Sequence, residues 1–170
     1  NKYCSLKYDK KIWCAEMQQL ANICNSTPKN TLMHRDFQSK NILLYNNNLF
    51  FIDLQNIKIG TIYYDLVSLI FDPYKNFDWD FTQELLNYYE KLLSRDNIFS
   101  FSPEVFYTFA LQRLMQASAA YIKLGYFQKK EWFYQFFIPT IKRISDVLEL
   151  SGSFPYLKQI ISDLIKKEEK

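Results

Sequence analysis

Apolar residues fall at helical spacing through "YDKKIWCAEMQQLANIC", residues 8–24, where Ile12, Trp13, Met17, Leu20 and Ile23 gather near one face. That helix is predicted to stop before Pro28, because a residue ahead of proline is pushed out of the α region. The period then changes. "NILLY" and "LFFIDL" are short apolar runs on either side of Asn46, Asn47 and Asn48; asparagine tolerates positive φ, so the pattern predicts a β-hairpin. From Tyr64 onward helical spacing returns. "YDLVSLIF" predicts a short apolar helix ending near Asp72 and Pro73, and "DFTQELLNYYEKLLSR" a longer one capped by Asp80 or Thr82. "SPEVFYTFALQRLMQASAAYIKLG" has Ser102 as cap, Pro103 at the first position and Gly125 just past the end. "KKEWFYQFF" and "PTIKRISDVLEL" read as two pieces hinged at Pro139, or with Pro139 opening the second, and "FPYLKQIISDLIKK" closes the chain. The fold class predicted is mainly α with a small β-hairpin (α+β), with no internal repeat.

Composition narrows the function classes more than the fold. At 170 residues, one domain is expected, with 48% hydrophobic and 18% aromatic residues supplying its core. The net charge of +3 is small and the signs are interspersed; only the tail "KKEEK" concentrates charge, and it holds both signs, as a solvated helix end does. Without a basic stripe beside the aromatics, no nucleic-acid partner is expected. The stripe of Phe106, Tyr107, Phe109, Trp132, Phe133 and Phe136 reads as helix packing. Cys4, Cys14 and Cys24 are odd in number and ten apart, which fits neither a disulfide framework nor a zinc knuckle. Buried helical thiols in a reducing cytoplasm are the expectation. No run of 18 apolar residues occurs, so no membrane span is expected.

The chemistry is concentrated in "HRDFQSKNILLYNNNLFFIDLQ", residues 34–55. Moving a phosphoryl group from ATP to a hydroxyl needs a carboxylate to orient the acceptor and take its proton, and ligands that hold Mg2+ against the phosphates. Asp36 is placed for the first task. Asn41 offers a neutral oxygen where the loop enters a strand, and Asp53 the hard anionic oxygen that magnesium prefers. A hairpin between them returns the chain to its starting edge, which brings the two ligands together beside Asp36. Each residue alone has a plainer reading: Asp36 as a turn aspartate, Asn41 as a strand-entry cap, Asp53 as a strand end. The spacing of all three favours catalysis. His34 is the single histidine; its near neighbour Asp36 is a poor orienting partner for a Ser-His-Asp arrangement, and catalytic zinc would need more His or Cys ligands than a lone His34 supplies.

"HRDFQSKN" followed by "FIDLQ" resembles the catalytic loop and metal-binding strand of the aminoglycoside phosphotransferase/choline kinase family, relatives of protein kinases. "YDLVSLIFDPY", "LQRLMQASAAYIKLGYF" and "FPYLKQII" are similar to the branch that phosphorylates N-acetylmuramate and N-acetylglucosamine at the anomeric hydroxyl. The resemblance implies Asp36 as catalytic base, Asn41 and Asp53 as magnesium ligands, His34 as packing behind the loop, and Asp65 as the aspartate that braces it. Asp65 could equally cap the helix that follows. The commoner family pattern has Gly at the centre of the His-x-Asp triplet where Arg35 stands; the sugar-kinase branch tolerates Arg.

In such enzymes a β-rich N-terminal lobe covers the nucleotide. Gly60, Gly125 and Gly152 all follow the catalytic loop and form no phosphate-cradling motif, and residues 1–33 leave no room for several strands. The expectation is therefore a protein-kinase-like C-terminal lobe, residues 1–170, lacking the N-terminal nucleotide lobe and inactive by itself. The start at Asn1 suggests a fragment, a processed chain or an excised piece of a longer protein. The implied partners are ATP and a small hydroxyl acceptor, an amino sugar, with self-association through the exposed lobe interface. Gln55 is a candidate to face the metal or acceptor, and Asp72, Tyr74, Gln112 and Arg113 are candidates for the acceptor pocket, Arg suiting a lactyl carboxylate. The plainer alternatives are Asp72 capping a turn before Pro73 and Arg113 pairing on a helix surface. An aminoglycoside or choline kinase, or a pseudokinase acting as an interaction module, are the rival functions.

Overall fold

The computed structural model describes residues 6–75, 77–95 and 100–168, so Cys4 and the last two residues of the "KKEEK" tail lie outside it. The chain is mainly helical with small β elements, as the periodicity predicts, and divides into two compact units. Unit 2 is continuous, Thr27–Phe109; unit 1 joins the chain up to Ser26 with everything from Ala110.

Unit 2 carries the β structure. Strand β1 (Thr31–Met33) leads into the loop that contains Asp36, and β2 (Ile42–Tyr45) and β3 (Asn48–Phe51) form the hairpin. Their antiparallel register sets Ile42 opposite Phe51 and Tyr45 opposite Asn48. Asn46 and Asn47 make the two-residue turn with φ of 46° and 60°, the backbone that a two-residue hairpin demands. Strand β4 (Lys58–Gly60) then pairs antiparallel with β1. This second pair has no sequence signal, because three residues are too few to show a period. Helix α1 (Lys10–Ser26) precedes it in the chain; α2 (Tyr64–Ile70) and α3 (Trp79–Arg95) follow it. The core of unit 2 gathers Val67, Ile70, Phe71, Leu86, Phe106 and Phe109, all buried, with Tyr63 stacked on Phe109 at 5.6 Å.

Two capping expectations on α3 change. Asp78 is the cap, its Oδ1 accepting from the Phe81 amide at 2.8 Å, while Thr82 is buried in the core. Asp80 sits inside the first turn, where its charge favours the helix dipole. Ser102 does cap α4 (Pro103–Ile122), accepting from Val105 at 3.4 Å. Gly125 is not a helix terminator: the chain runs on from Ile122 into a π-helical turn, Lys123–Phe127, that contains it. A Cβ there would stand 3.3 Å from the Tyr134 ring, so the glycine serves close packing. Pro139 does not divide two helices, since α5 runs unbroken over Tyr134–Ser151 with Pro139 inside it. It lies near the helix start, so only one carbonyl, that of Gln135, loses an amide partner. Gly152 ends α5 with φ 62°, the left-handed cap that glycine accepts without strain.

In unit 1, α1 and α6 (Pro155–Glu168) are fastened by one carboxylate. Glu16 on α1 accepts from the amides of Tyr156 and Leu157, both at 2.8 Å, so it caps the N-terminus of α6 from another helix. Tyr156 in turn accepts through its hydroxyl from the Asp9 amide. The buried-thiol expectation fails for Cys14, which is exposed because it lies off the face of α1 that buries Leu20. Cys24 is half-buried, and burial pushes its thiol up to about 11. Among the described residues no helix is long and apolar enough to cross a membrane.

Two predictions follow from unit 1. Glu16→Ala leaves two helix-start amides without an acceptor and is expected to lower stability by about 1–2 kcal/mol in urea unfolding, with Glu16→Gln intermediate. Iodoacetamide should label Cys14 before Cys24. At pH 8, a thiol raised by two units has about 100-fold less thiolate, of which greater sulfur basicity recovers about tenfold, so Cys24 should react about tenfold more slowly than an unperturbed thiol, before any loss of access. Equal native-state rates at the two positions would contradict the burial.

Candidate active site

The site is built from β1, the loop after it, the hairpin and α2, all within unit 2. Arg35 has φ 74°, a left-handed backbone that costs a non-glycine residue about 1 kcal/mol. The commoner glycine at this position would take it freely. Asp65, in the first turn of α2, holds the strained turn: its Oδ2 accepts from the His34 amide at 2.6 Å and its Oδ1 from the Arg35 amide at 2.9 Å. Its carboxylate thus braces the loop, and capping of its own helix is not needed to explain it.

His34 is buried, and its Nε2 lies 2.9 Å from the Ile52 carbonyl oxygen. A carbonyl only accepts, so Nε2 carries the hydrogen and Nδ1 keeps a lone pair, which accepts from the Asp36 amide at 3.4 Å. The ring also packs on Phe37, 5.8 Å between centroids. His34 therefore ties the loop to the end of β3, one residue before Asp53.

Asp36 begins a closed turn. Its carbonyl oxygen accepts from the Gln38 amide at 3.0 Å and from Asn41 Nδ2 at 2.9 Å, and the Asn41 amide donates to Gln38 at 2.9 Å. Asn41 Nδ2 also reaches Asp36 Oδ2 at 3.3 Å. With Nδ2 committed to Asp36, Oδ1 is the atom that Asn41 can offer to a cation. The ladder continues past the hairpin, since the Ile52 amide donates to Asn41 O at 3.1 Å, so Asn41 and Asp53 come to one edge as the twelve-residue spacing anticipates. Asp53 has φ 68°, and Gln55 Nε2 donates to its Oδ1, which leaves Oδ2 for a ligand. Among the described residues no three His, Cys, Asp or Glu side chains cluster as a metal cage. One amide and one carboxylate suit magnesium, which keeps waters and substrate phosphates as its other ligands.

The acceptor candidates separate. Asp72 is 2% exposed and both oxygens are taken: Oδ2 accepts from the Ser39 amide at 2.6 Å and Oδ1 from the Tyr74 amide at 2.9 Å. It holds the turn before Pro73 and also reaches the loop that carries Asp36. Tyr74 presents its ring to Lys40, whose Nζ stands 3.6 Å from the centroid. Ser39 and Lys40 carry no signal of their own in the sequence. Gln112 and Arg113 belong to unit 1, half-buried on α4. Two mainly apolar cavities of about 250 and 260 Å³ lie along Leu32, Phe37 and Asp65; neither has Asp36, Asn41 or Asp53 in its wall. Beside them, burial, and secondarily the charge of Asp65, push the Tyr89 phenol above its ordinary range, so it stays a neutral donor to Ile62 O at 2.9 Å.

A carboxylate-bearing loop braced by a half-buried aspartate and tied to an Asn–hairpin–Asp edge is the arrangement expected of a kinase-like phosphotransferase. Residues 4–99 match the model of the phosphotransferase enzyme family, more than half of the chain, and the chain belongs to that family. It is similar to an N-acetylmuramate/N-acetylglucosamine kinase of Neisseria meningitidis serogroup B, 24% identical over 163 residues, which cover 91% of this chain and 48% of that protein. The chain thus spans about half the length of the curated relative it matches.

Asp65→Asn sets an NH2 group against one of the two amides and is expected to cost about 1–3 kcal/mol in thermal or urea unfolding. Arg35→Gly relieves the left-handed strain and should be at least as stable as the parent protein. An Arg35→Gly protein that loses more than Asp65→Asn would contradict the braced-turn account.

Proposed function

We propose that residues 1–170 form the catalytic-loop and acceptor-binding lobe of an ATP- and Mg2+-dependent phosphotransferase whose acceptor is an amino-sugar hydroxyl. The observation that carries the reading is the closed edge of Asp36, Asn41 and Asp53, joined by the Asn41–Asp36 hydrogen bonds and the Ile52–Asn41 ladder bond. Asn41 Oδ1 and Asp53 Oδ2 would hold the magnesium, which when bound offsets negative charge on the phosphates. Asp36 orients the acceptor hydroxyl and takes its proton as the new O–P bond forms and the bond to the leaving ADP oxygen breaks. His34 and Asp65 keep the Asp36 backbone in register, so little reorganisation accompanies the step.

The amino-sugar assignment draws on the sugar kinase to which the chain is similar. Within the unit that carries Asp36, Tyr74 is the candidate for the sugar ring. Leu43, on β2, is 46% exposed and would offer an apolar surface to the nucleotide base. Leu44, Tyr45, Leu49 and Phe50 are also exposed on the hairpin. Such a surface favours a covering lobe or, in isolated residues 1–170, self-association and little turnover.

The test is ADP release by the full-length protein with Mg2+ and ATP, across N-acetylmuramate, N-acetylglucosamine, choline and an aminoglycoside. Sugar-dependent release is expected, falling about 10²–10⁴-fold in Asp36→Asn with the fold intact by circular dichroism. Undiminished release in Asp36→Asn, or silence with every acceptor in a folded protein, would overturn the proposal, the latter in favour of an interaction module.

A further inference from the structure

Helix α2 has a carboxylate at each end, and both reach the catalytic loop. Asp65, in its first turn, takes the amides of His34 and Arg35. Asp72, two residues beyond its last, takes the amide of Ser39 at 2.6 Å. The loop is thus gripped at two points, on either side of Asp36 and just ahead of Asn41. Between the grips it is closed on itself by the Gln38–Asp36, Asn41–Gln38 and Asn41 Nδ2–Asp36 hydrogen bonds. The Ser39 amide begins the 3-10 turn Ser39–Asn41, so it needs an acceptor from outside, and Asp72 supplies it. The other Asp72 oxygen fixes the Tyr74 amide, and Tyr74 carries Lys40 on its ring face. One buried carboxylate therefore sets the pose of two successive loop residues, and the next residue is Asn41.

We propose that Asp72 is a positioning residue of the phosphotransferase site: through Ser39 it fixes the turn that aims Asn41 Oδ1, and it contacts neither substrate nor metal. The inference rests on the phosphotransferase reading for its kinetic consequence but not for its structural one. Displacing a ligand by a few tenths of an ångström weakens magnesium, which tolerates little distortion of its coordination. The signature is therefore a raised Mg2+ requirement with a lowered kcat and an unchanged KM for the acceptor. An acceptor-pocket role for Asp72 would move the acceptor KM instead.

Two substitutions remove the contact from opposite sides. Asp72→Asn has one acceptor oxygen for two amides. Ser39→Pro deletes the donor and leaves Asp72 in place; Gln38 ahead of it is already extended at φ −128° and ψ 162°, and position 39 opens the 3-10 turn, so both sites accept proline. In the full-length protein, both are expected to speed amide exchange in a peptide covering residues 36–44, to raise the Mg2+ concentration for half-maximal ADP release about tenfold, and to lower kcat about 10–100-fold. The double variant should be little worse than either single one. Unchanged exchange in both variants overturns the proposal whether or not the protein proves to be a kinase. Faster exchange with unchanged kcat and Mg2+ dependence in an active enzyme overturns it too, as does a shift confined to the acceptor KM. A wild-type protein silent with every acceptor refutes the phosphotransferase reading, and with it the kinetic half of this proposal.

Discussion

The carboxylate of Asp65 is the constraint on which the site depends. Two consecutive amides converge on its two oxygens, and hydrogen bonds to a charged acceptor each contribute about 1.5–3 kcal/mol. That outweighs the roughly 1 kcal/mol of left-handed strain at Arg35, so the turn is held although its central residue is not glycine. With the turn held, the His34 ring meets the Ile52 carbonyl, and the hairpin end that carries Asp53 is tied to the loop that carries Asp36. A second route runs from Asp36 through Asn41 to the Ile52 amide. Both hydrogen-bonding groups of one residue, Ile52, are therefore claimed by the loop, and the hairpin cannot shift without disturbing it.

Much of this was legible in the residues. The paired asparagines announced the turn, the twelve-residue interval from Asn41 to Asp53 announced the hairpin that joins them, and Ser102-Pro103 announced the start of α4. What escaped notice depends on partners remote in sequence. Thr31 and Gly60 are opposite one another in a two-strand pair with no readable period. Asp78 won the cap of α3 from Asp80 and Thr82 because the core claimed the Thr82 side chain. Gly125 looked like a helix end; the ring of Tyr134 nine residues on explains it better. Asp72 beside a proline was read both as a turn residue and as a pocket residue, and only the distant Ser39 amide shows where its second oxygen goes.

The family pattern and the local physics also explain each other at Arg35. A glycine in the middle of the triplet needs no brace to tolerate positive φ, whereas arginine does. The long side chain is exposed, so it adds no contact that offsets the strain, and the backbone position is made tenable by Asp65.

The cap that Glu16 places on α6 has a consequence for how the chain is made. The two partners are 140 residues apart, and closing a loop of that length costs about 4 kcal/mol of chain entropy before any contact rewards it. Unit 2, unbroken in sequence, can complete its contacts as it leaves the ribosome. Helix α1 cannot; at about 5–20 residues per second it waits roughly 7–30 s for α6 to be synthesised. During that interval the face that will bury Leu20 is open to chaperones, and helix α1 is among the last elements of its unit to find its place.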